Sequence, residues 1–224
     1  MTGLFADRRQ AGQQLAARLL QYKPESPLVL AIPRGGVPVA IEVAKALGAP
    51  LDLVLVRKIG VPFQPELAAG AVVDGEHTET VWNRGILEAL DVTEDFFKSE
   101  IARQIEEIER RRKTYLGARP RARIAGCTAI VVDDGIATGA TVRAALIAVR
   151  RNRPKRLVLA VPVASPDTVD SLRKDVDELI CLEKPDTFHA ISEFYMDFTQ
   201  VEDEDVMDML GQMPGSAGIA EVKT

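Results

Sequence analysis

The stretch "IVVDDGIATGAT" (130–141) carries three apolar residues into two adjacent acids, then into a short run of Gly, Ala and Thr. Ile130, Val131 and Val132 read as the end of a buried strand, and "ATVRAALIAVRR" (140–151) as the helix that follows. Gly135 and Gly139 bracket the turn between them. A glycine-containing turn into a helix N-terminus presents free backbone N–H groups and the positive end of the helix dipole, which together suit a phosphate. The hydroxyls of Thr138 and Thr141 add donors. This is not a Walker loop, because no Gly-Lys-Ser/Thr follows, and it is not Gly-x-Gly-x-x-Gly. Two carboxylates so close to a phosphate repel it. Asp133 and Asp134 therefore need another part of the same ligand, either a pair of hydroxyls or a Mg²⁺ ion. A sugar phosphate with a vicinal diol meets both demands. An acid pair can instead form a turn and cap the next helix. The ordered run of acids, glycines and threonines after a buried strand favours the ligand.

Strands and helices alternate on both sides of this stretch. "LVLAI" (28–32), "LDLVLV" (51–56), "TAIVVDD" (128–134), "RLVLAVPV" (156–163) and "ELICLEK" (178–184) are apolar strand candidates. Helices are expected at 3–20, at 37–47 with Pro38 in the first turn and Gly48 closing it, and at 165–175 with Ser165 as cap and Pro166 at the first position. "RKIGVPFQPELAAG" (57–70) holds two prolines and two glycines and reads as a long loop. "AVVDGEHTETVW" (71–82) reads as a hairpin around Asp74-Gly75. Residues 93–115 form a long amphipathic helix with Phe97, Ile101, Ile105 and Ile108 on one face and Thr93 as cap; that face packs on the domain or on a second subunit. The rhythm implies an α/β fold, a doubly wound parallel sheet whose ligands sit beyond the carboxyl ends of the strands. "PRGG" (33–36), "RKIG" (57–60) and "DDGIATGAT" (133–141) each follow an apolar strand, so three loops of suitable chemistry are expected at one end.

Composition narrows the function. The 224 residues carry 28 basic and 33 acidic side chains, a net charge of −5. Such a balance argues against nucleic acid and against an anionic membrane as partners. No apolar run approaches the length of a membrane span, and Asp7, Arg8 and Arg9 interrupt any signal sequence. A cytoplasmic protein is expected. Cys127 and Cys181 stand far apart, and with only His77 and His189 beside them they make a zinc site a poor reading.

"IVVDDGIATGAT" resembles the phosphoribosyl-pyrophosphate-binding signature of the type I phosphoribosyltransferases. "PRGG" is similar to that family's short pyrophosphate loop, where a strained, often cis, peptide turns an N–H toward the ligand. "VRKIGVP" resembles the start of its flexible catalytic hood. Together with "LFADRRQAGQQLA" and a late "FYMDF", the chain to about residue 210 resembles a subgroup with no settled acceptor. The resemblance implies that Asp133 and Asp134 hold the ribose 2′- and 3′-hydroxyls and Mg²⁺. It implies that Gly135, Ala137, Thr138, Gly139, Ala140 and Thr141 cradle the 5′-phosphate, and that Arg34, Gly35 and Gly36 meet the pyrophosphate. Arg57 and Lys58 would reach the same pyrophosphate from a lid at 58–70, where Glu66 is either a general base or a solvated carboxylate. The implied organisation is one domain over 1–210, with hood segments at about 1–27 and 183–200 and a helical insertion at about 84–118. A flexible tail would cover 211–224, and a homodimer is expected.

The implied reaction displaces pyrophosphate from C1 of phosphoribosyl pyrophosphate by a nitrogenous base, with Mg²⁺ as cofactor. Ala137 departs from the 6-oxopurine branch of the family, which usually places an Asp there facing the base; that disfavours a 6-oxopurine acceptor. "PDTFHAISEFYMDF" (185–198) is the expected acceptor hood, its aromatics either stacking on a base or filling a core. The competing reading is a regulator of the same fold that senses phosphoribosyl pyrophosphate without turning it over. Such proteins usually couple to nucleic acid, and this acidic chain shows no basic surface or winged-helix addition.

Overall fold

The computed structural model describes residues 4–61, 64–74, 78–90 and 92–213. Helix α1 (Arg8–Leu19) leads to β1 (Leu28–Ala31), α2 (Gly36–Leu47) and β2 (Leu51–Leu53). Strands β3 (Val56–Val61), β4 (Gln64–Val73) and β5 (Glu79–Trp82) follow, then α3 (Arg84–Ala89) and α4 (Lys98–Leu116). The chain continues through β6 (Thr128–Val132), α5 (Ala140–Arg151), β7 (Arg156–Val163), α6 (Pro166–Leu172), β8 (Glu178–Glu183) and α7 (Asp203–Gly211).

Five strands form a parallel sheet in the order β2-β1-β6-β7-β8. Every residue of β1 and β6 is buried, because parallel strands are covered by helices on both faces. Strand order reverses between β1 and β6, which opens a crevice above their carboxyl ends. Register carries this into the loops. Ala31 pairs with Val132, and Ile32 N–H donates to the Val132 carbonyl at 2.9 Å. "PRGG" and "DDGIATGAT" therefore leave the sheet side by side.

The helices at 140–151 and 37–47 and the capped helix at Ser165-Pro166 form as the sequence predicts. Gly48 closes α2 at φ +63°, its N–H donating to the Ala44 and Lys45 carbonyls. The reading of 57–70 as a loop is overturned: it holds most of β3 and β4, antiparallel in a second sheet of order β3-β4-β5. The ladder steps from Val61↔Gln64 to Gly60↔Ala68, so residues 65–67 stand outside the pairing. A proline at 65 is tolerated there because no ladder N–H is required. The predicted hairpin at 71–82 is present as β4–β5, with Gly70↔Trp82 to Val73↔Glu79 paired. Residues 75–77 of its expected turn lie outside the described residues.

Three further boundaries differ. The first helix starts at Arg8 rather than residue 3, because Asp7 caps it by accepting from Gln10 N–H at 2.7 Å. Phe5 is then free to bridge to Tyr195. Strand β2 ends at Leu53, and "VLV" (54–56) crosses into the second sheet. Thr93 makes no side-chain cap; a short 3₁₀ turn (Glu94–Phe97) precedes α4. The apolar stripe of α4 packs on this domain's own core through Phe97 and Ile108, with Ile101 and Ile105 half-buried beside them. On the same helix Arg112 is buried and donates to Asp52 and Asp74, tying α4 to both sheets. Among the described residues no helix is long and apolar enough to cross a membrane.

Candidate active site

At the crevice the acid pair rests directly on the glycine turn. A Cβ on Gly35 would overlap Asp134 Oδ2 and stand 2.6 Å from its Cγ. A Cβ on Gly36 would stand 2.8 Å from the Val132 carbonyl oxygen and 3.2 Å from Asp133 Oδ1. The two glycines of "PRGG" are thus required by the close approach of Asp133 and Asp134. The Pro33-Arg34 peptide is cis. Asp133 Oδ1 accepts the Asp134 N–H at 2.9 Å. Burial first, and then the neighbouring Asp134 charge, push the Asp133 carboxyl well above its ordinary range. Burial also raises Asp134, against the opposing pull of Arg8.

The turn expected to cradle a phosphate follows. Gly139, at φ +76°, is the N-cap of α5 and offers no side chain, so the first-turn N–H groups of this 12-residue helix lack a side-chain cap. Those are the donors an anion uses. Ala137, Thr138 and Ala140 are exposed and Thr141 is half-buried. The turn is pinned from below: Ile136 N–H donates to the Val163 carbonyl at 2.9 Å, and Thr168 Oγ1 donates to the Ala137 carbonyl at 2.9 Å.

The expected cations are distributed differently from the sequence reading. Arg34 Nη1 pairs with Glu202 at 2.8 Å and Asp203 at 3.4 Å, the acids that open α7. Asp203 also accepts from Tyr115 Oη at 2.7 Å. Arg57 and Lys58 are consecutive in a strand and face opposite sides of it. Arg57 Nε donates to Gln104 Oε1 of α4 at 2.9 Å. Lys58 lines a cleft of about 440 Å³ with Asn83, Ala140, Thr141 and Arg143. Only Lys58 of the pair therefore stands beside the start of α5. Glu66 falls in the unpaired 65–67 segment of β4, and its side chain lies outside the described residues.

The sequence reading left Arg8, Ile191 and Tyr195 within the expected hood segments and did not foresee that they meet the acid-pair turn. Arg8 Nε donates to Asp134 Oδ2 at 2.7 Å. Tyr195 Oη donates to the Asp134 carbonyl at 2.5 Å. Ile191 packs so close to Gly135 that a Cβ there would stand 2.7 Å from Ile191 Cγ2. Phe194 and Tyr195 are core residues packed with Phe5, while Phe188 and Phe198 are half-buried against them. This places the hood aromatics chiefly in packing. His189 is exposed. The signal for α7 was present and unread: Glu202 and Asp205 form a capping box, and Val206 and Leu210 share a face.

A switch-point crevice holding an acid pair, a glycine turn and an uncapped helix N-terminus defines a doubly wound α/β protein with a candidate anion site between β1 and β6. The chain belongs to the phosphoribosyl transferase domain family, whose model matches residues 6–199. Its five-strand parallel sheet with flanking helices is the type I phosphoribosyltransferase fold. Two Mycobacterium tuberculosis sequences, from strains H37Rv and CDC 1551 / Oshkosh, both described as "putative phosphoribosyl transferase", are 44% identical over 207 residues. That match takes in 92% of this chain and 46% of theirs, so the chain spans about half the length of these relatives. The crystal structure of TT1426 from Thermus thermophilus is 44% identical, covers 92% of this chain and 97% of its own, and superposes with a TM-score of 0.80.

Proposed function

We propose that the chain is a Mg²⁺-dependent phosphoribosyltransferase of the cytoplasm, acting as a homodimer in nucleotide salvage or related metabolism. It moves the 5-phosphoribosyl group from phosphoribosyl pyrophosphate to a nitrogenous base. The observation that carries the reading is the seating of Asp133 and Asp134 on Gly35-Gly36, beside the uncapped start of α5. Asp133 and Asp134 take the ribose hydroxyls, residues 137–141 take the 5′-phosphate, and Arg34, Gly35 and Gly36 meet the pyrophosphate. The C1–O bond breaks, with its electron pair leaving on pyrophosphate. A C1–N bond forms to the acceptor, whose displaced proton passes to a base, for which Glu66 is the candidate.

Charge grows on the pyrophosphate as it leaves. Arg34 in the turn and Lys58 beside the cradle are the cations placed to meet it. Arg57 joins them when its guanidinium leaves Gln104. Asp133 and Asp134 are the residues that would hold Mg²⁺, which would supply further neutralisation of the same charge. Residues 58–70 are the lid that excludes water, and the segments around 1–27 and 183–200 form the acceptor hood. Ala137, exposed on the cradle, argues against a 6-oxopurine acceptor.

The test mixes protein, Mg²⁺ and phosphoribosyl pyrophosphate with a panel of bases and measures pyrophosphate release. Release that depends on at least one base is expected. Tight donor binding with no base-dependent release overturns the enzyme reading and makes the chain a sensor.

A further inference from the structure

Arg8, the first residue of α1, is held at three points. Its Nε donates to Asp134 Oδ2 at 2.7 Å, and its Nη1 donates to the Thr199 carbonyl at 2.9 Å. Its guanidinium carbon lies 3.8 Å from the centroid of the Phe198 ring. The side chains of Arg8 and Asp134 are each only 11% exposed. On its other side the Asp134 carboxylate abuts Gly35. Asp133 has no such cation: its partner is the Asp134 N–H, and no ion pair to it occurs among the described residues.

The segment that fixes Arg8 also fixes the loop. Tyr195 Oη holds the Asp134 carbonyl, and Ile191 covers Gly135. The N-terminal and C-terminal segments are joined to each other by Phe5 N–H to Phe194 O at 3.0 Å, Met196 N–H to Phe5 O at 2.8 Å and Asp197 N–H to Ala6 O at 2.9 Å. Two segments from opposite ends of the chain thus converge on residues 134–135. A buried ion pair contributes little net stability relative to apolar packing, so stability alone does not account for it. The planar fork of arginine can meet a carboxylate and a carbonyl while stacking on a ring, which an ammonium cannot.

We propose that Arg8 is a positioning residue of the donor site: it clamps Asp134 against the Gly35 turn and so holds the acid pair in place for the incoming ribose, with Asp133 the member that has no cation of its own. This rests on the phosphoribosyltransferase reading above. The experiment measures phosphoribosyl pyrophosphate binding by calorimetry with Mg²⁺ present, together with donor and acceptor KM, for the wild type, Arg8→Ala, Arg8→Lys and Phe198→Leu. Arg8→Ala should weaken donor binding about 10- to 100-fold, by analogy with the loss on removing a residue that orients a metal ligand. Acceptor KM should hardly move, and Arg8→Lys should recover part of the loss. Donor affinity equal to or tighter than wild type in Arg8→Ala overturns the proposal, since Arg8 would then be idle or a competitor of the ribose. Should Arg8→Ala fail to fold, Phe198→Leu decides: it removes the stacking partner alone, and an unchanged donor affinity there sinks the idea. A wild-type chain that binds no donor overturns the functional reading and this proposal together; a wild type that binds, with variants that bind equally, overturns only this one.

Discussion

Replacing Gly35 by alanine tests the packing on which the site depends. The added methyl would overlap Asp134 Oδ2 and stand 2.6 Å from Cγ and 3.0 Å from Oδ1. All three atoms belong to one carboxylate, so the methyl displaces the whole group. The carboxylate has no easy retreat: Arg8 holds Oδ2 at 2.7 Å and the pair is nearly buried. Relief requires either breaking that pair or moving the turn. Overpacking alone costs about 1–3 kcal/mol, and a disrupted buried pair adds to it, so a loss of about 3 kcal/mol is expected. For a chain of this size that lowers the melting temperature by roughly 6–12 °C. Donor binding should fall with it, because Asp134 leaves its place. Thermal melting of the ligand-free protein and calorimetry with phosphoribosyl pyrophosphate measure the two effects. Gly85→Ala is the control: in α3, the atom a Cβ would meet is Asn83 Oδ1 at 3.7 Å, so stability should stay level or rise by about 0.5–1 kcal/mol. A Gly35→Ala protein that melts with the wild type and binds donor normally would refute the account of why glycine stands there.

Arg34 is held by Glu202 and Asp203 in the ligand-free chain; Glu202→Gln should free it and tighten donor binding about two- to fivefold, the worth of one exposed ion pair, and weaker binding would show the acid to be an aid instead. Arg112→Met leaves Asp74, whose side chain is fully buried, with Arg121 as its remaining cation; a loss of about 3 kcal/mol on denaturant unfolding is expected, and a loss below about 1 kcal/mol would mean that α4 needs no such tie. Hydrogen bonds from Arg110 and then Arg111 lower the Glu107 carboxyl from 4.5 to about 2. The stability this adds is present above pH 4.5 and lost as pH falls toward 2, so the wild-type advantage over Glu107→Gln should fade across that window. The pair is largely solvated, which keeps the advantage below about 1 kcal/mol, and a difference constant with pH would contradict the assignment.

Much of the site was legible because its parts are local. An apolar strand, two acids, a glycine turn and a helix start occupy twelve consecutive letters, and each property follows from near neighbours. The parallel sheet follows from the α/β rhythm, but the strand order that sets the turn of Gly35 against Asp134 rests on the pairing of β1 with β6. Other features depend on distant pairing. Residues 57–70 read as a loop because two glycines and two prolines interrupt them; they become strands because β3 and β4 pair with each other, with residues 65–67 left out of the ladder. Once Arg57 and Lys58 are in a strand, alternation separates them, sending one to Gln104 and the other to the cleft beside Thr141. The aromatics of 185–198 gave no sign of whether they faced a ligand or each other until Phe5 was placed against Tyr195.

By itself the sequence determined what each loop offers: a pair of carboxylates, the N–H groups of a helix start, and glycines where no side chain fits. Those are properties of short segments and their backbone preferences. Tertiary structure decided which charge meets which. Arg8 reaches Asp134 across 126 positions of chain, and Arg34 reaches Glu202 across 168. Opposite charges are abundant along the sequence, and only packing brings a particular two within a few ångströms and shields them from water.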